Sequence, residues 1–432
     1  MVRNTKATRF TLLLLALVLI LGAGTLHAQD VVTINIAVKS ASEVVTYRKA
    51  AEGFMKENPH IKVVIDELGR DGYTERIRTL LLTGSSDIDI VNFTNGEVGA
   101  FAKIGVIENL MPYFDDPQAN TYGITPGMFL DGPRAALSID GDMYALPYGT
   151  STLLLYYRTD LIENPPKTWD EFLEIAKQFT KSHNPNSPTE YGTTIQGKRQ
   201  STAMREFAAY LWSFGGDIFD QDGRVVVNSP ASKEALAFWV DLYRQGLVPP
   251  DVTSYEYGQV VEAFQQGKAA MVMQWDAAAG SFADPEQSPL VYDKLGVAMA
   301  PGKELADGTV LHVPYLQSWA FAINTASKHK KEAFQFLSYF NTPEKYLENM
   351  HANDSTALKD VLEADGFKEG RVHYEAYKES LQYGRAFPSS HHMDRIQNIL
   401  DFSLARALSG EQTVDAAMET AAREIQELLD NE

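Results

Sequence analysis

The chain has 432 residues, 44% of them hydrophobic and 22% charged, with no cysteine and a formal net charge of −19. Such a length exceeds one small core and suits two lobes of about 200 residues each. The missing cysteines exclude disulfides, thiol catalysis, thiolate metal sites and a lipid-modified N-terminal Cys; the acidity disfavours nucleic acid and anionic membranes, which bind through Lys and Arg.

The first predicted element is a leader. Arg3, Lys6 and Arg9 precede an apolar run over 10–21, and small residues follow at Gly22, Ala23, Gly24 and Ala28. A basic stretch, a short apolar stretch and a small-residue exit read as an export signal over 1–28, cut after Ala28. The run is too short for a comfortable bilayer span. Losing its three cations takes the formal charge to −22. Uncut, the same residues would act as a weak tether.

A strand is predicted over 31–38, ending in the polar loop 39–43. Val44, Tyr47, Ala51 and Phe54 then recur at helical spacing until Asn58-Pro59 stops the helix. A second strand follows over 61–65. A helix starting near 71 carries Ile77, Leu80 and Leu81 on one face. A third apolar run, 88–93, ends in Thr94-Asn95-Gly96-Glu97. Strands alternating with helices predict a parallel sheet, with ligands bound beyond the strands' carboxyl ends. The polar loops 39–43 and 94–97 stand at such ends.

Residues 144–157 form a long apolar strand interrupted by Pro147 and Gly149, the pattern of a strand running between two sheets. Pro165-Pro166 leads into a capping box, Thr168 to Glu171, for a helix to about 180. Residues 182–200 are loop. Helices are predicted over 201–213, 230–245 and 255–266, and strands over 269–274 and 319–323. The last 110 residues read as almost wholly helical.

No nucleophile elbow, H-E-x-x-H, P-loop or dinucleotide fingerprint is present. The nine His are scattered, and the adjacent pair His391-His392 would point about 100° apart on a helix, which suits chelation poorly. No metal or cofactor is therefore expected. The aromatic residues say more. Trp275 and Asp276 stand where the strand 269–274 ends, Tyr315 and Trp319 flank the strand 319–323, and Trp212 closes a helix before Gly215-Gly216. Aromatic walls with a few aimed polar groups make small-molecule sites, and rings of this kind stack on sugar C–H faces. Each ring has a second reading as core, the favoured one for Trp169 and Trp239. Arg205 and Arg385, if both line a cleft, would suit an anionic group; otherwise each pairs with one of the many acids.

These pieces together resemble the extracellular solute-binding proteins of ABC importers, family 1, the group that includes maltose-binding and glycerol-phosphate-binding proteins. The matching pieces span nearly the whole mature chain. They are Phe54-Met55-Lys56-Glu57-Asn58-Pro59 with Ile61-Lys62-Val63; Ser86-Asp87-Ile88-Asp89-Ile90; Ala145-Leu146-Pro147-Tyr148 with Leu155-Tyr156-Tyr157-Arg158-Thr159-Asp160-Leu161; Pro166-Lys167-Thr168-Trp169-Asp170-Glu171-Phe172; Gly267-Lys268-Ala269-Ala270-Met271; and Trp319-Ala320-Phe321-Ala322-Ile323.

The resemblance implies an α/β fold of the class II periplasmic binding protein type: two lobes joined by hinge crossings, with solute between them. Lobe one would take 30–147 and 314–370, and lobe two 148–313 and 371–432, with crossings near Tyr148 and Tyr315. By position, solute contacts would come from Ser40, Ser42, Asn95, Glu97, Tyr148, Thr150, Arg205, Trp212, Trp275, Asp276, Tyr315, Trp319 and Arg385. The implied function is a monomeric, non-enzymatic, periplasmic or cell-envelope receptor. It would capture a carbohydrate by hinge closure and deliver it to the permease subunits of an ABC transporter. A glycerol phosphate or another anionic polyol is the alternative ligand. Two other readings are an exported glycan hydrolase using carboxylates such as Glu97 and Asp276, and a component that signals to a sensor. The lipid-anchored Cys of many relatives is absent, and the strand-one loop lacks the Trp and Asp of the maltose-type pattern.

Overall fold

The computed structural model describes residues 31–431 except 42, 70, 71, 200–202, 352, 353, 389 and 391. The leader expected over 1–28, Ser42 and His391 lie outside the described residues. Seven strands form one sheet: β1 (Val32–Lys39), β2 (Ile61–Leu68), β3 (Ile90–Thr94), β4 (Leu146–Arg158), β5 (Met271–Trp275), β6 (Leu295–Met299) and β7 (Leu316–Ile323). The strand order is β2-β1-β3-β7-β4-β5, and β6 also pairs with β4.

The parallel sheet predicted for the first part is present only in β2-β1-β3. There, α1 (Val44–Glu57) and α2 (Tyr73–Leu82) carry the chain back between strands, which forces parallel pairing. β4 leaves the first half of the molecule and β7 returns to it, so β7 runs antiparallel to both β4 and β3. β5 and β6 flank the far half of β4, also antiparallel.

β4 is the strand that joins the halves. Its residues 146–152 pair with β7, and its residues 153–158 pair with β5 and β6. Successive side chains point to opposite faces of a strand. Leu153 and Leu155 therefore enter one core, with Trp169, Phe207 and Trp239, while Leu154 and Tyr156 enter another, with Phe264 and Phe282. A third cluster, with Ile77, Phe93 and Phe101, covers the other face of β1 and β3. Burial on both faces explains why 144–157 reads as a continuous apolar run.

The second half is mostly helical: α4 (Trp169–Gln178), α5 (Ala203–Ser213), α6 (Pro230–Arg244) and α7 (Tyr257–Gln265). Thr168 caps α4 through the predicted capping box, its side chain accepting from the Glu171 amide at 3.1 Å. Trp169 stacks on Tyr210 with ring centroids 4.1 Å apart and donates its indole N–H to Ser213. Beyond β7 come α8 (Lys330–Phe340), α9 (Tyr374–Tyr383), α10 (Met393–Leu408) and α11 (Val414–Asp430). α10 and α11 pack on α5 and α6 of the second half. α9 lies under the crossing, where the Tyr377 hydroxyl donates to the Thr150 carbonyl at 2.6 Å. Among the described residues no helix is long and apolar enough to cross a membrane.

Candidate functional site

A cavity of about 530 Å³ opens where the strand ends of the two halves converge. From the first half come Lys39, Ala41 and Glu43 after β1, and Thr94 and Glu97 where β3 runs into α3 (Asn95–Lys103). The crossing strands supply Tyr148, Ser151, Gln317 and Trp319; the second half supplies Arg205, Tyr257, Trp275 and Ala277.

Local register sets which side chains face inward. In the β4–β7 ladder Ala320 pairs with Pro147 and Trp319 with Gly149, which leaves Tyr148 as an extra, unpaired residue. A bulge of this kind shifts the phase of a strand. Tyr148 and Ser151 thereby reach the same cavity, opposite Gln317 and Trp319, which stand two apart on β7. The walls are aromatic: Tyr257 is 39% exposed, and Trp275 and Trp319 are half-buried. Trp275 is held edge-on to Tyr315, centroids 5.7 Å apart.

Of the residues expected at the site, Glu97, Tyr148, Arg205, Trp275 and Trp319 line the cavity. Glu97 also caps its own helix, accepting from the Thr94 amide at 2.7 Å and hydroxyl at 2.6 Å. Tyr148 sits among Tyr47 and Phe321 and receives a hydrogen bond from Asn92 at 3.2 Å. Arg205 is half-buried in the first turn of α5, and its guanidinium makes no hydrogen bond or ion pair to any described residue. Its helix start is fixed from α10, because buried Asp401 accepts from the Met204 amide at 2.8 Å.

The remaining expected residues have other tasks. The Ser40 hydroxyl donates to Glu67 at 2.7 Å. Asn95 is buried and accepts from the Ser318 amide, tying α3 to β7. Thr150 is fully buried in the crossing, 3.4 Å from the Ser318 hydroxyl. Trp212 and Tyr315 are core: they stack at 6.0 Å behind the cavity wall, with Phe387 against both. Asp276 is buried and accepts from the Thr152 amide at 3.0 Å, clamping β4 to the end of β5. Arg385 is exposed on the far side, paired with Asp217 at 2.7 Å and lying over the Trp212 ring. The structure therefore does not bring Arg205 and Arg385 together, nor Glu97 and Asp276.

Lys39, Ala41, Glu43, Thr94, Ser151, Tyr257, Ala277 and Gln317 were not singled out in the sequence. Lys39, Ala41, Glu43 and Thr94 lie in or beside the strand-end loops, whose position was the available signal. Gln317 and Ser151 sit inside crossing strands, where the sequence gives no sign of which face opens. The Gln317 side-chain oxygen is buried without a hydrogen-bond partner among the described residues, a cost that a solute donor could remove.

Burial dominates the electrostatics. It pushes the Asp276 carboxyl up to about 7, against the pull of the Thr152 amide. Burial likewise pushes Asp401 up to about 7, with the Met204 amide and Arg205 pulling it down. The Tyr148 phenol is held above its usual range by burial first and Glu43 second. Two basic side chains, Lys39 and Arg205, and two acidic ones, Glu43 and Glu97, line the cavity. The arrangement can stack on apolar faces and exchange hydrogen bonds with hydroxyls.

Comparison with known proteins gives one consistent picture. The family described as "Bacterial extracellular solute-binding protein" matches residues 40–346. A putative binding protein of Brucella abortus (strain 2308) is 28% identical over 315 residues, 71% of each chain. A mannitol-binding protein of Pseudomonas aeruginosa is 26% identical over 323 residues, 73% of this chain and 70% of its own. The solved structure of maltose-bound MalE3 from T. maritima superposes with a TM-score of 0.77 at 27% identity, covering 92% of this chain and 100% of that one.

Proposed function

Because the chain belongs to the bacterial extracellular solute-binding protein family, we propose that it captures a sugar or sugar alcohol in the cavity between its halves and delivers it to an ABC permease. The observation that carries this reading is the cavity itself. Three partly exposed aromatic rings line it at the convergence of the strand ends, together with the Arg205 guanidinium, which makes no hydrogen bond or ion pair to any described residue. Stacking on C–H faces and hydrogen bonding to hydroxyls are what a polyol offers, and no bond is made or broken.

Solute enters while the halves stand apart, and contacts to both halves favour the closed form. The halves divide at 30–147 with 314–370 and 148–313 with 371–432. Motion is absorbed where β4 and β7 cross, at Tyr148 and Tyr315, and α9 rides on that hinge. The chain acts outside the cytoplasm after its leader is removed. Arg385 is engaged by Asp217 outside the cavity, so Arg205 has no second arginine for gripping an anion. A charge-balanced site favours an uncharged solute over a glycerol phosphate.

A thermal-shift screen over sugars, alditols, sugar acids and glycerol phosphates tests the reading. A cognate solute at 100 times its Kd stabilises by about 2.7 kcal/mol. The proposal expects neutral sugars or alditols to raise Tm and to be recovered unaltered. A response confined to phosphates, or chromatographic evidence of hydrolysis, overturns it.

A further inference from the structure

Charges from the two halves meet at the rim of the cavity. Asp394, in the first turn of α10, lies 3.9 Å from the Arg78 guanidinium on α2. α10 packs there on the first turn of α3: a Cβ built on Gly96 would stand 3.5 Å from the Asp394 carboxylate and 3.7 Å from the Gln397 amide. α2 and α3 belong to the β1–β3 half, whereas α10 packs with α5 and α6. Arg78 is prepositioned by its own half. Its guanidinium lies over the Phe101 ring at 5.6 Å, with Glu75 at 3.8 Å on the same helix. The Arg78 Nε is the atom that faces Glu75, and the terminal Nη2 is the one that faces Asp394. Among the neighbouring charges, Glu97 and Glu75 of the first half repel the Asp394 carboxylate, whereas Arg78 of that half and Arg205 of its own half attract it.

We propose that Arg78 and Asp394 form an electrostatic latch that holds the two halves together before any solute enters. The proposal rests on the closing motion described above. The latch is half-exposed, with the two side chains 36% and 43% accessible, so its effect is small and sensitive to salt. It biases the open–closed equilibrium by about two- to five-fold, the range of an exposed ion pair. Such a bias sets how much of the chain is already closed when solute arrives.

The chain has no cysteine, so spin labels can be placed at Leu82→Cys and Gln221→Cys, one exposed position on each half, and the distance measured by pulsed electron resonance without solute. Burial first and Glu97 second push the Asp394 carboxyl up to about 6, against Arg78 and Arg205; the measurement is therefore made near pH 8, where Asp394 is ionised. Raising salt from about 0.01 M to about 1 M shortens screening from about 30 Å to 3 Å and is expected to shift the population toward longer distances. Arg78→Glu and Asp394→Arg are each expected to do the same at low salt, and the double swap to restore the short distance. Distances unaffected by salt and by both single variants overturn the latch. The salt arm on the otherwise unaltered chain decides the matter even if a variant fails to fold. Solute binding in the thermal-shift screen is a separate readout: binding with no salt response leaves the receptor and removes the latch.

Discussion

At the residue scale, chemistry turns on which rings and charges stay partly open. Trp275 and Trp319 do, whereas Trp169, Trp212 and Trp239 are buried. Trp275→Ala and Trp319→Ala are therefore expected to weaken solute binding by about tenfold or more each, while leaving Tm within a few degrees. Calorimetric titration beside a thermal melt checks this; a large loss of Tm with unchanged affinity would make both rings core. Glu206 is the opposite case. Its carboxyl is fully buried on α5 and burial pushes it up to about 8, although the Gln196 amide donates to it at 3.0 Å. A raised acid pKa means that the neutral form fits the fold. The penalty is absent below the usual carboxylate range, grows as pH climbs toward 8 and is constant above. Glu206→Gln should therefore match the parent near pH 4 and exceed it in Tm near pH 9. Equal melting at both pH values would contradict that reading.

Residue by residue, legibility followed environment. Trp275 was readable from its place at a strand end, and Arg205 entered by position through the family resemblance; both line the cavity. Trp212, Tyr315, Asp276 and Arg385 belong to the same neighbourhoods, yet serve as core, clamp and surface pair. The difference lies in partners distant in sequence, such as Phe387 for Trp212 and Thr152 for Asp276. No local pattern carries those pairings.

At the element scale, the crossing of β4 and β7 joins the halves. Pro147 and Gly149 mark it in the sequence, and the bulge at Tyr148 explains their presence. Gly149 is needed for close approach: an added Cβ would lie 2.6 Å from the Ser355 hydroxyl and 3.3 Å from its carbonyl. Gly149→Ala is thus expected to cost about 1–3 kcal/mol and to lower Tm by several degrees. Adding Ser355→Gly should recover part of the loss; no recovery would place the strain elsewhere. Strand and helix positions were largely legible from period and caps, as at Thr168-Trp169-Asp170-Glu171. The antiparallel entry of β7 was not, because strand direction depends on where the chain has travelled between 158 and 316.

At the scale of the whole molecule, two cores share one strand and a cavity lies where they meet. Leu153 and Leu155 root β4 in the core around Trp239, while Leu154 and Tyr156 continue the apolar face that runs from Tyr148. The halves are thereby joined through packed backbone. Under the closing motion proposed above, solute that touches Glu97 on one side and Arg205 or Trp275 on the other gains contacts as the halves approach. The account then predicts one solute molecule per chain and compaction on binding. The most direct test is isothermal titration calorimetry of the purified protein against the neutral sugars and alditols of the thermal-shift screen. The account predicts saturable binding of at least one of them, at a stoichiometry of one, lost in Trp275→Ala with Arg205→Ala. Heat that continues with turnover, or saturable binding that persists unchanged in that double variant, would contradict it.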